Sequence, residues 1–140
     1  MPGISALKAI DRKRISAKDP RKYSDSLDLD SALESSCPND PRWDYGIGYK
    51  KTKTDEVAVW VEVHPANTGE VKAMIKKLDW LKKWLQNEAT ELGKLTKKKH
   101  SLPRFNWVAS GKIALPKGSK QARLLAQSGL SYPVKHLNFD

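Results

Sequence analysis

Asp44 and Glu62 are the two residues of this sequence whose types and spacing best suit metal chemistry. They lie in the stretch RWDYGIGYKKTKTDEVAVWVEVH, residues 42–64, where alternating apolar and polar residues predict two β-strands joined by the loop KTKTD. If Lys50 pairs with Glu56 across this loop, antiparallel pairing sets Asp44 opposite Glu62, with the two Cβ atoms about 4.5 to 5.5 Å apart. Carboxylates at that distance repel each other unless a cation lies between them, which predicts a shared Mg²⁺ or Mn²⁺ ion with oxygen ligands.

The strand that contains Glu62 has two chemically different faces. Valines at alternate positions from 57 to 63 indicate a contact with the core, whereas Trp60, Glu62 and His64 share the opposite face. This second face is either solvated or built for a site. As the alternative to a metal site, these side chains are ordinary residues on the exposed face of a half-buried hairpin, with Arg42 neutralising either carboxylate.

Helices predicted on both sides of the hairpin would hold it in place. The preceding residues 24–36, SDSLDLDSALESS, predict a short helix with a serine or aspartate as its cap. After the second strand, HPANTG at 64–69 begins a long helix in which leucines recur at helical spacing as far as Leu95. Trp80 and Trp84 border this apolar stripe and are predicted to pack at the edge of the core.

The C-terminal part of the sequence predicts one further helix and two further strands. RFNWVASGKIALP at 104–116 alternates as a strand, KGSKQARLLAQSG at 117–129 has the glycine end of a short helix, and SYPVKHLNFD at 131–140 is expected to add an edge strand. The fold class is therefore α/β, of the α+β kind, with a small mixed sheet flanked by helices. We expect a single domain at residues 24–140, preceded by a basic and weakly structured segment at residues 1–23.

Composition excludes several classes of protein. Cys37 is the only cysteine, so the chain has neither an internal disulfide nor a cysteine-rich zinc site, and a reducing cytoplasm is the expected compartment. We see no export leader and no apolar run of membrane-spanning length, so no membrane association is expected. Phosphate-binding glycine loops of the GxxxxGKS, GxxxxGKT and GxGxxG kinds are absent, as is a nucleophile elbow.

The charge of the chain favours a polyanionic partner. The formal net charge is +10, and acidic residues are concentrated at residues 23–44, where the predicted site begins. A positive field around a small acidic focus suits DNA or RNA that is held by its phosphates. The residues predicted to contact these phosphates are Lys50, Lys51, Lys53, Lys97, Lys98, Lys99 and Lys112. As the alternative, a lysine-rich surface serves solubility alone.

The order of the predicted elements resembles the core of the PD-(D/E)xK nuclease superfamily, which has the restriction-endonuclease-like fold. A helix, a strand with Asp44, a strand with the tripeptide EVH, a helix and a strand follow one another over residues 24–115. The resemblance implies that Asp44 and Glu62 match the two metal carboxylates of the family and that the Val63 carbonyl is a further ligand. It also implies that Glu34 matches an acidic residue that some members have on the first helix.

The sequence departs from the family pattern at the lysine of the motif. His64 stands at that position, where it could orient or deprotonate a water molecule, although histidine is mostly neutral near pH 7. Some members of the family have the lysine on the following helix, and Lys77, which falls inside the apolar arc of the long helix, matches that arrangement. As the alternative, Lys77 packs its aliphatic stem there and turns its ammonium group to the solvent.

The sequence thus predicts a basic protein that interacts with nucleic acid, and the resemblance implies a metal-dependent nuclease that hydrolyses phosphodiester bonds. The competing hypothesis is a non-catalytic small basic binding protein, which keeps the nuclease-like fold and binds nucleic acid or a protein that handles it. A third hypothesis, based on size and basic character alone, is a toxin or an accessory protein of a mobile element.

Overall fold

The chain folds into five α-helices and six β-strands, and the computed structural model describes residues 1–140. The helices are α1 (Ala9–Arg12), α2 (Leu29–Leu33), α3 (Val71–Asn87), α4 (Thr90–Lys97) and α5 (Lys120–Ser128). The strands are β1 (Ile15–Ser16), β2 (Tyr23–Asp28), β3 (Tyr45–Lys50), β4 (Glu56–Asn67), β5 (Phe105–Ala114) and β6 (Leu137–Asn138). None of the helices has both the length and the apolar composition needed to cross a membrane.

A central mixed sheet contains four strands in the order β2-β3-β4-β5. Strand β3 is antiparallel to β2 and to β4, whereas β5 is parallel to β4 and follows it in the chain after α3 and α4. Lys50 pairs with Glu56 and Tyr45 pairs with Val61, so the predicted register of the hairpin is confirmed. The predicted α/β class, with a small mixed sheet flanked by helices, is confirmed as well.

The helix predicted at residues 24–36 is wrong over its first half. Tyr23–Asp28 forms β2 along one edge of β3, and only Leu29–Leu33 is helical. Serine and aspartate side chains compete for backbone hydrogen bonds and weaken a helix, so pairing with β3 decides the conformation of this segment. Asp28 then caps the shortened helix, because its Oδ1 accepts a hydrogen bond from the Ser31 amide at 3.0 Å.

The single long helix predicted after the hairpin is divided into α3 and α4. Helix α3 ends at Asn87, and Ala89 leaves the helical conformation with φ −137° and ψ 56°. The break allows α4 to fold back over the sheet, where the Thr96 hydroxyl accepts a hydrogen bond from the indole Nε1 of Trp60 at 2.8 Å. A Cβ at Gly93 would lie only 3.2 Å from the Leu85 carbonyl oxygen, so this glycine allows the two helices to approach closely.

Both faces of the central sheet are buried, so the face of β4 that carries Glu62 is not solvated. On the valine face, Val57, Val59 and Val61 pack with Leu7 and Phe139 from the two ends of the chain. The opposite face packs under α3, and its core contains Trp43, Trp60, Met74, Leu78, Leu81 and Trp107. The alternative of ordinary side chains on the exposed face of a half-buried hairpin is therefore wrong, because helices cover that face.

The two ends of the chain form the layer that covers the valine face. Residues 1–23, for which the sequence predicts little regular structure, contribute α1, β1 and the buried side chains of Leu7 and Ile15. The C-terminal strand β6 is parallel to β1, with Ile15 paired to Leu137, and does not join the central sheet. Within the predicted C-terminal strand, Val134 forms an isolated parallel bridge with Val108 of β5, whereas β6 itself pairs with the N-terminal segment.

Candidate functional site

The hairpin register brings Asp44 and Glu62 together beside the first residue of β3. The Asp44 amide donates a hydrogen bond to Glu62 Oε1 at 2.9 Å, and the Val63 amide donates one to Asp44 Oδ2 at 3.0 Å. Each carboxylate is therefore oriented by the backbone of the opposite strand. This reciprocal pair places the two acidic side chains as the sequence predicts, and their role as metal ligands stays a prediction.

Lys77 completes this pair from the helix above the sheet. Its Nζ lies 2.5 Å from Glu62 Oε2, and the Glu62 side chain is only 1% exposed. The Lys77 side chain is 22% exposed, so most of it is buried with the apolar arc of α3. The ammonium group thus points to Glu62 rather than to the solvent, which explains why a lysine occurs in that arc.

His64 lies between two carboxylates. Its Nδ1 is 3.5 Å from Glu62 Oε2, and its Nε2 is 3.1 Å from Glu70 Oε2. The backbone of the same residue is held by Trp107, whose indole Nε1 donates to the His64 carbonyl oxygen at 3.1 Å. The hydrogen bond with Glu62 is the main cause of a raised pKa of His64, and burial opposes it. Both ring nitrogens are therefore held by acceptors, which favours the imidazolium form.

Sequence reasoning missed Glu70 as a member of this group. It ends the 3₁₀ turn Thr68–Glu70, from which α3 begins. The only signal in the sequence is an acidic residue at the start of a helix, where it is favoured by the helix dipole, and this signal does not indicate a histidine partner. Only the path of the chain from β4 into α3 brings Glu70 back to His64.

Asp44 is the titratable group that the site perturbs most clearly. Burial and the nearby charge of Glu62 raise the pKa of Asp44 to about 7, whereas Lys77 and the Val63 amide act in the opposite direction. Its Oδ1 accepts no hydrogen bond, since Oδ2 alone is used by the Val63 amide. Asp44 thus presents a free carboxylate oxygen whose negative charge is poorly compensated, which is the condition that a bound cation would relieve.

The carboxylate oxygens of Asp44 and Glu62 are ligands that a hard divalent cation prefers, although the site has only these two carboxylates. The structure contains no group of three or more histidine, cysteine, aspartate or glutamate side chains that could hold a metal ion. Magnesium is commonly bound by only one or two carboxylates, with water and substrate phosphate oxygens as its other ligands. Two carboxylates can therefore hold such an ion when a phosphate ligand supplies further oxygens.

Two other residues that the sequence connects with this site lie outside it. Glu34 is exposed just after α2 and its side chain makes no hydrogen bond or ion pair, so the structure does not bring it to Asp44 and Glu62. Arg42 does not neutralise either carboxylate: its Nε lies 3.0 Å from Asp30 Oδ1, and its Nη1 donates to the Cys37 carbonyl oxygen at 2.6 Å. The alternative interpretation of two surface acids neutralised by Arg42 is therefore wrong.

Most of the lysines predicted to contact phosphates lie at the far end of the hairpin. The loop after β3 meets the segment after α4 there, because Lys51 Nζ lies 3.1 Å from Asp55 and Lys98 Nζ lies 3.5 Å from the same carboxylate. We call this group the hairpin-end cluster, and its members are Lys50, Lys51, Lys53, Lys98 and Lys99. Lys97, the last residue of α4, lies in a separate cleft with Arg104. Glu62 lies six residue steps after Glu56 on β4, which amounts to about 20 Å along the strand. Of the predicted lysines, only Lys112, on β5 beside the carboxyl end of β4, lies toward the same end of the sheet as Asp44.

The pH dependence of stability tests the environment of Asp44. Its carboxyl titrates near 3.8 in the unfolded chain and at about 7 in the folded protein, so between these values the folded state binds the extra proton. The contribution of Asp44 to stability should therefore rise as the pH falls from about 8 to about 5 and stay constant once both states are protonated. We expect the unfolding free energy of the wild type to increase relative to that of Asp44→Asn over this range, measured by urea denaturation with a chelator present. If the difference in unfolding free energy between the wild type and Asp44→Asn does not change with pH, the raised pKa of Asp44 is contradicted.

The site as a whole combines two carboxylates, an ammonium group and an imidazole held between acids. Such a group can hold a divalent ion, orient a water molecule and move a proton at His64 or Lys77. Searches against protein-family models, curated proteins and solved structures find no match to this chain.

Proposed function

We propose that the protein is a metal-dependent nuclease that hydrolyses phosphodiester bonds, with a site of the PD-(D/E)xK kind. The observation that carries this proposal is the meeting of Asp44, Glu62 and Lys77 from three separate elements. Two acidic side chains and a lysine within hydrogen-bonding distance of one of them are the groups that this chemistry requires. The basic character of the chain supports nucleic acid, DNA or RNA, as the substrate.

The order of the elements supports the resemblance to this superfamily. Helix α2 precedes β3, β4 follows with the tripeptide Glu62-Val63-His64, and α3 leads to β5, which is parallel to β4. Lys77 on α3 is then the lysine moved to the following helix, since its ammonium group reaches the motif carboxylate from there. The short α2 does not bring Glu34 to the site, so the proposal uses two carboxylates and not three.

Each side chain has a definite part in this proposal. Asp44 and Glu62 would hold Mg²⁺ or Mn²⁺, and such an ion supplies activation of water and stabilisation of negative charge on phosphate oxygens. Lys77 fixes the Glu62 carboxylate and carries a donor that can orient the attacking water. His64, oriented by Glu62 and Glu70, is the second group that can transfer a proton.

Calorimetric titration of Mn²⁺ tests the proposed site. We expect saturable binding by the wild type and loss of that binding in Asp44→Asn and Glu62→Gln, because each removes one carboxylate charge from the site. Glu34→Gln is the matched control, since it removes the same charge from an exposed residue outside the site, and it should bind Mn²⁺ as the wild type does. Equal weak heats in all four proteins would exclude a shared ion at Asp44 and Glu62.

One observation favours the second candidate function, a non-catalytic nucleic-acid-binding protein. Glu62 Oε2 already contacts both Lys77 and His64, so the buried carboxylate is neutralised by side chains of the protein alone. A domain that had lost the chemistry could keep this network for stability. The Mn²⁺ titration distinguishes the two functions, because only the nuclease requires the ion.

A further inference from the structure

A cleft lined by cations lies between α3, α4 and the start of β5. Its volume is about 420 Å³, and its polar and aromatic lining includes Lys82, Gln86, Lys94, Lys97, Arg104 and Phe105. We call it the cationic cleft. Its size falls within the range of about 300 to 1,000 Å³ that is usual for small-molecule sites, so it has room for a nucleotide unit.

The positive charge of the cationic cleft is largely uncompensated. No aspartate or glutamate is among its lining residues, and only Lys94 has an acidic partner, Glu91, at 3.1 Å. Lys82, Lys97 and Arg104 form no ion pair. In the hairpin-end cluster, by contrast, Asp55 contacts two of the lysines. The cationic cleft is therefore the more favourable place for an anion on this side of the molecule.

Two of the cations are held in place by the backbone. Arg104 Nη2 donates to the Lys97 carbonyl oxygen at 2.8 Å, and Lys82 Nζ donates to the Ser128 carbonyl oxygen at 3.0 Å. The Lys82 ammonium also lies 5.7 Å from the centroid of the Phe105 ring, a cation–π distance. These contacts use carbonyl oxygens and a ring, and the remaining N–H groups of Arg104 and Lys82 stay free for a ligand. The cleft is thus organised before any anion enters.

We propose that the cationic cleft binds a phosphate group of a nucleic-acid strand, which assigns the substrate contact to this cleft rather than to the hairpin-end cluster. A guanidinium with several free donors, beside the ammonium groups of Lys82 and Lys97, matches the oxygens of a phosphate. The identification of the ligand as nucleic acid rests on the proposed function.

The cleft lies on the same face of the central sheet as Glu62. Phe105 pairs with Trp60, and Trp107 pairs with Glu62, so the cleft begins two residues before the site along these parallel strands. Two residues correspond to about 7 Å. Glu62 contacts α3 through Lys77, and α3 also forms one wall of the cleft, so both lie on the same side of the sheet.

Fluorescence anisotropy with a short 3′-labelled oligothymidylate tests this proposal. The double variant Lys97→Gln/Arg104→Gln removes two charges from the cleft, and we expect it to bind the oligonucleotide about tenfold more weakly in the presence of a chelator. The matched control Lys50→Gln/Lys53→Gln removes two exposed charges from the hairpin-end cluster and should weaken binding by less than about threefold. Equal losses in the two variants would overturn the proposal, because they would show that only the overall charge matters.

Two further measurements keep the test decisive. Because Arg104 donates to the Lys97 carbonyl oxygen, its replacement could disturb the fold, so Lys97→Gln is also tested alone. Lys97 is exposed and its ammonium group forms no hydrogen bond or ion pair, so we expect this variant to fold and to bind the oligonucleotide more weakly than the wild type does. Competition with inorganic phosphate and with thymidine 5′-monophosphate then identifies the source of the phosphate. Stronger competition by the nucleotide supports the proposal, whereas equal competition would make the cleft a site for free phosphate and overturn it.

The binding experiments distinguish a failure of the cleft proposal from a failure of the proposed nuclease function. Glu34→Gln should bind the oligonucleotide as tightly as the wild type when a chelator is present, since Glu34 is exposed and lies outside both the cleft and the candidate site. If Mn²⁺ binding is absent but the cleft variant loses affinity, the cleft proposal stands and the nuclease proposal fails. If the wild type binds Mn²⁺ and the cleft variant keeps its affinity for the oligonucleotide, the nuclease proposal stands and the cleft proposal fails.

Discussion

Replacing Lys77 by methionine is expected to lower the proposed metal-dependent cleavage by about 10²- to 10⁴-fold, the contribution of a positioned side chain that transfers a proton. The same change should destabilise the metal-free protein by about 3 kcal/mol, because it leaves the Glu62 carboxylate buried without its nearest cation. Methionine keeps most of the apolar stem that packs within α3. The loss can therefore be attributed to the ammonium group, which lies 2.5 Å from Glu62 Oε2.

Lys76→Met is the matched control for this prediction. Lys76 precedes Lys77 on the same helix but is exposed, so its replacement removes an equal charge without leaving a buried carboxylate. We expect cleavage and unfolding free energy close to those of the wild type. Equal effects of the two substitutions would contradict the role given to Lys77. Normal cleavage by a destabilised Lys77→Met protein would limit Lys77 to a structural role and point to His64 as the group that acts on water.

The hairpin could be predicted in detail because its information is local. Side chains alternate with a period of two, the loop KTKTD is short, and the pairing of Lys50 with Glu56 then determines every other pair. Asp44 and Glu62 follow from this register without any knowledge of the rest of the fold. Lys77 could also be found from the sequence, since a lysine inside an apolar arc needs a partner, although the sequence did not identify that partner as Glu62.

The environment of the site could not be predicted, because it depends on contacts between distant segments. The even-numbered face of β4 resembles a solvated face, yet α3 and α4 cover it, and the ends of the chain cover the valines. Burial, together with the nearby charge of Glu62, raises the pKa of Asp44, and the cover of α3 leaves Glu62 almost inaccessible. Glu70 is part of the site for the same reason, since its approach to His64 depends on the turn between β4 and α3.

Two errors of secondary structure have a common physical cause. Residues 24–28 have helix-capping residues but pair with β3, and the apolar spacing from Leu85 to Leu92 continues across a break between two helices. In each segment a tertiary contact outweighs a local preference of a few tenths of a kcal/mol per residue. The break also creates the cationic cleft, because α4 turns back beside α3 and carries Lys94 and Lys97 toward Arg104.

Leu81→Ala is expected to destabilise the protein by about 2 to 5 kcal/mol, the cost of a cavity left by a buried leucine. Leu81 is fully buried in the cluster between α3 and the sheet, whereas Lys83 is exposed on the same helix, so Lys83→Ala should change the unfolding free energy by less than about 0.5 kcal/mol. Urea denaturation of the two variants provides the comparison. Leu81 follows Lys77 by one helical turn, so the packing that buries Leu81 also holds the Lys77 ammonium toward Glu62. Similar losses of unfolding free energy in both variants would show that the buried face of α3 is assigned wrongly. The geometry of the proposed site, which depends on that face, would then be wrong as well.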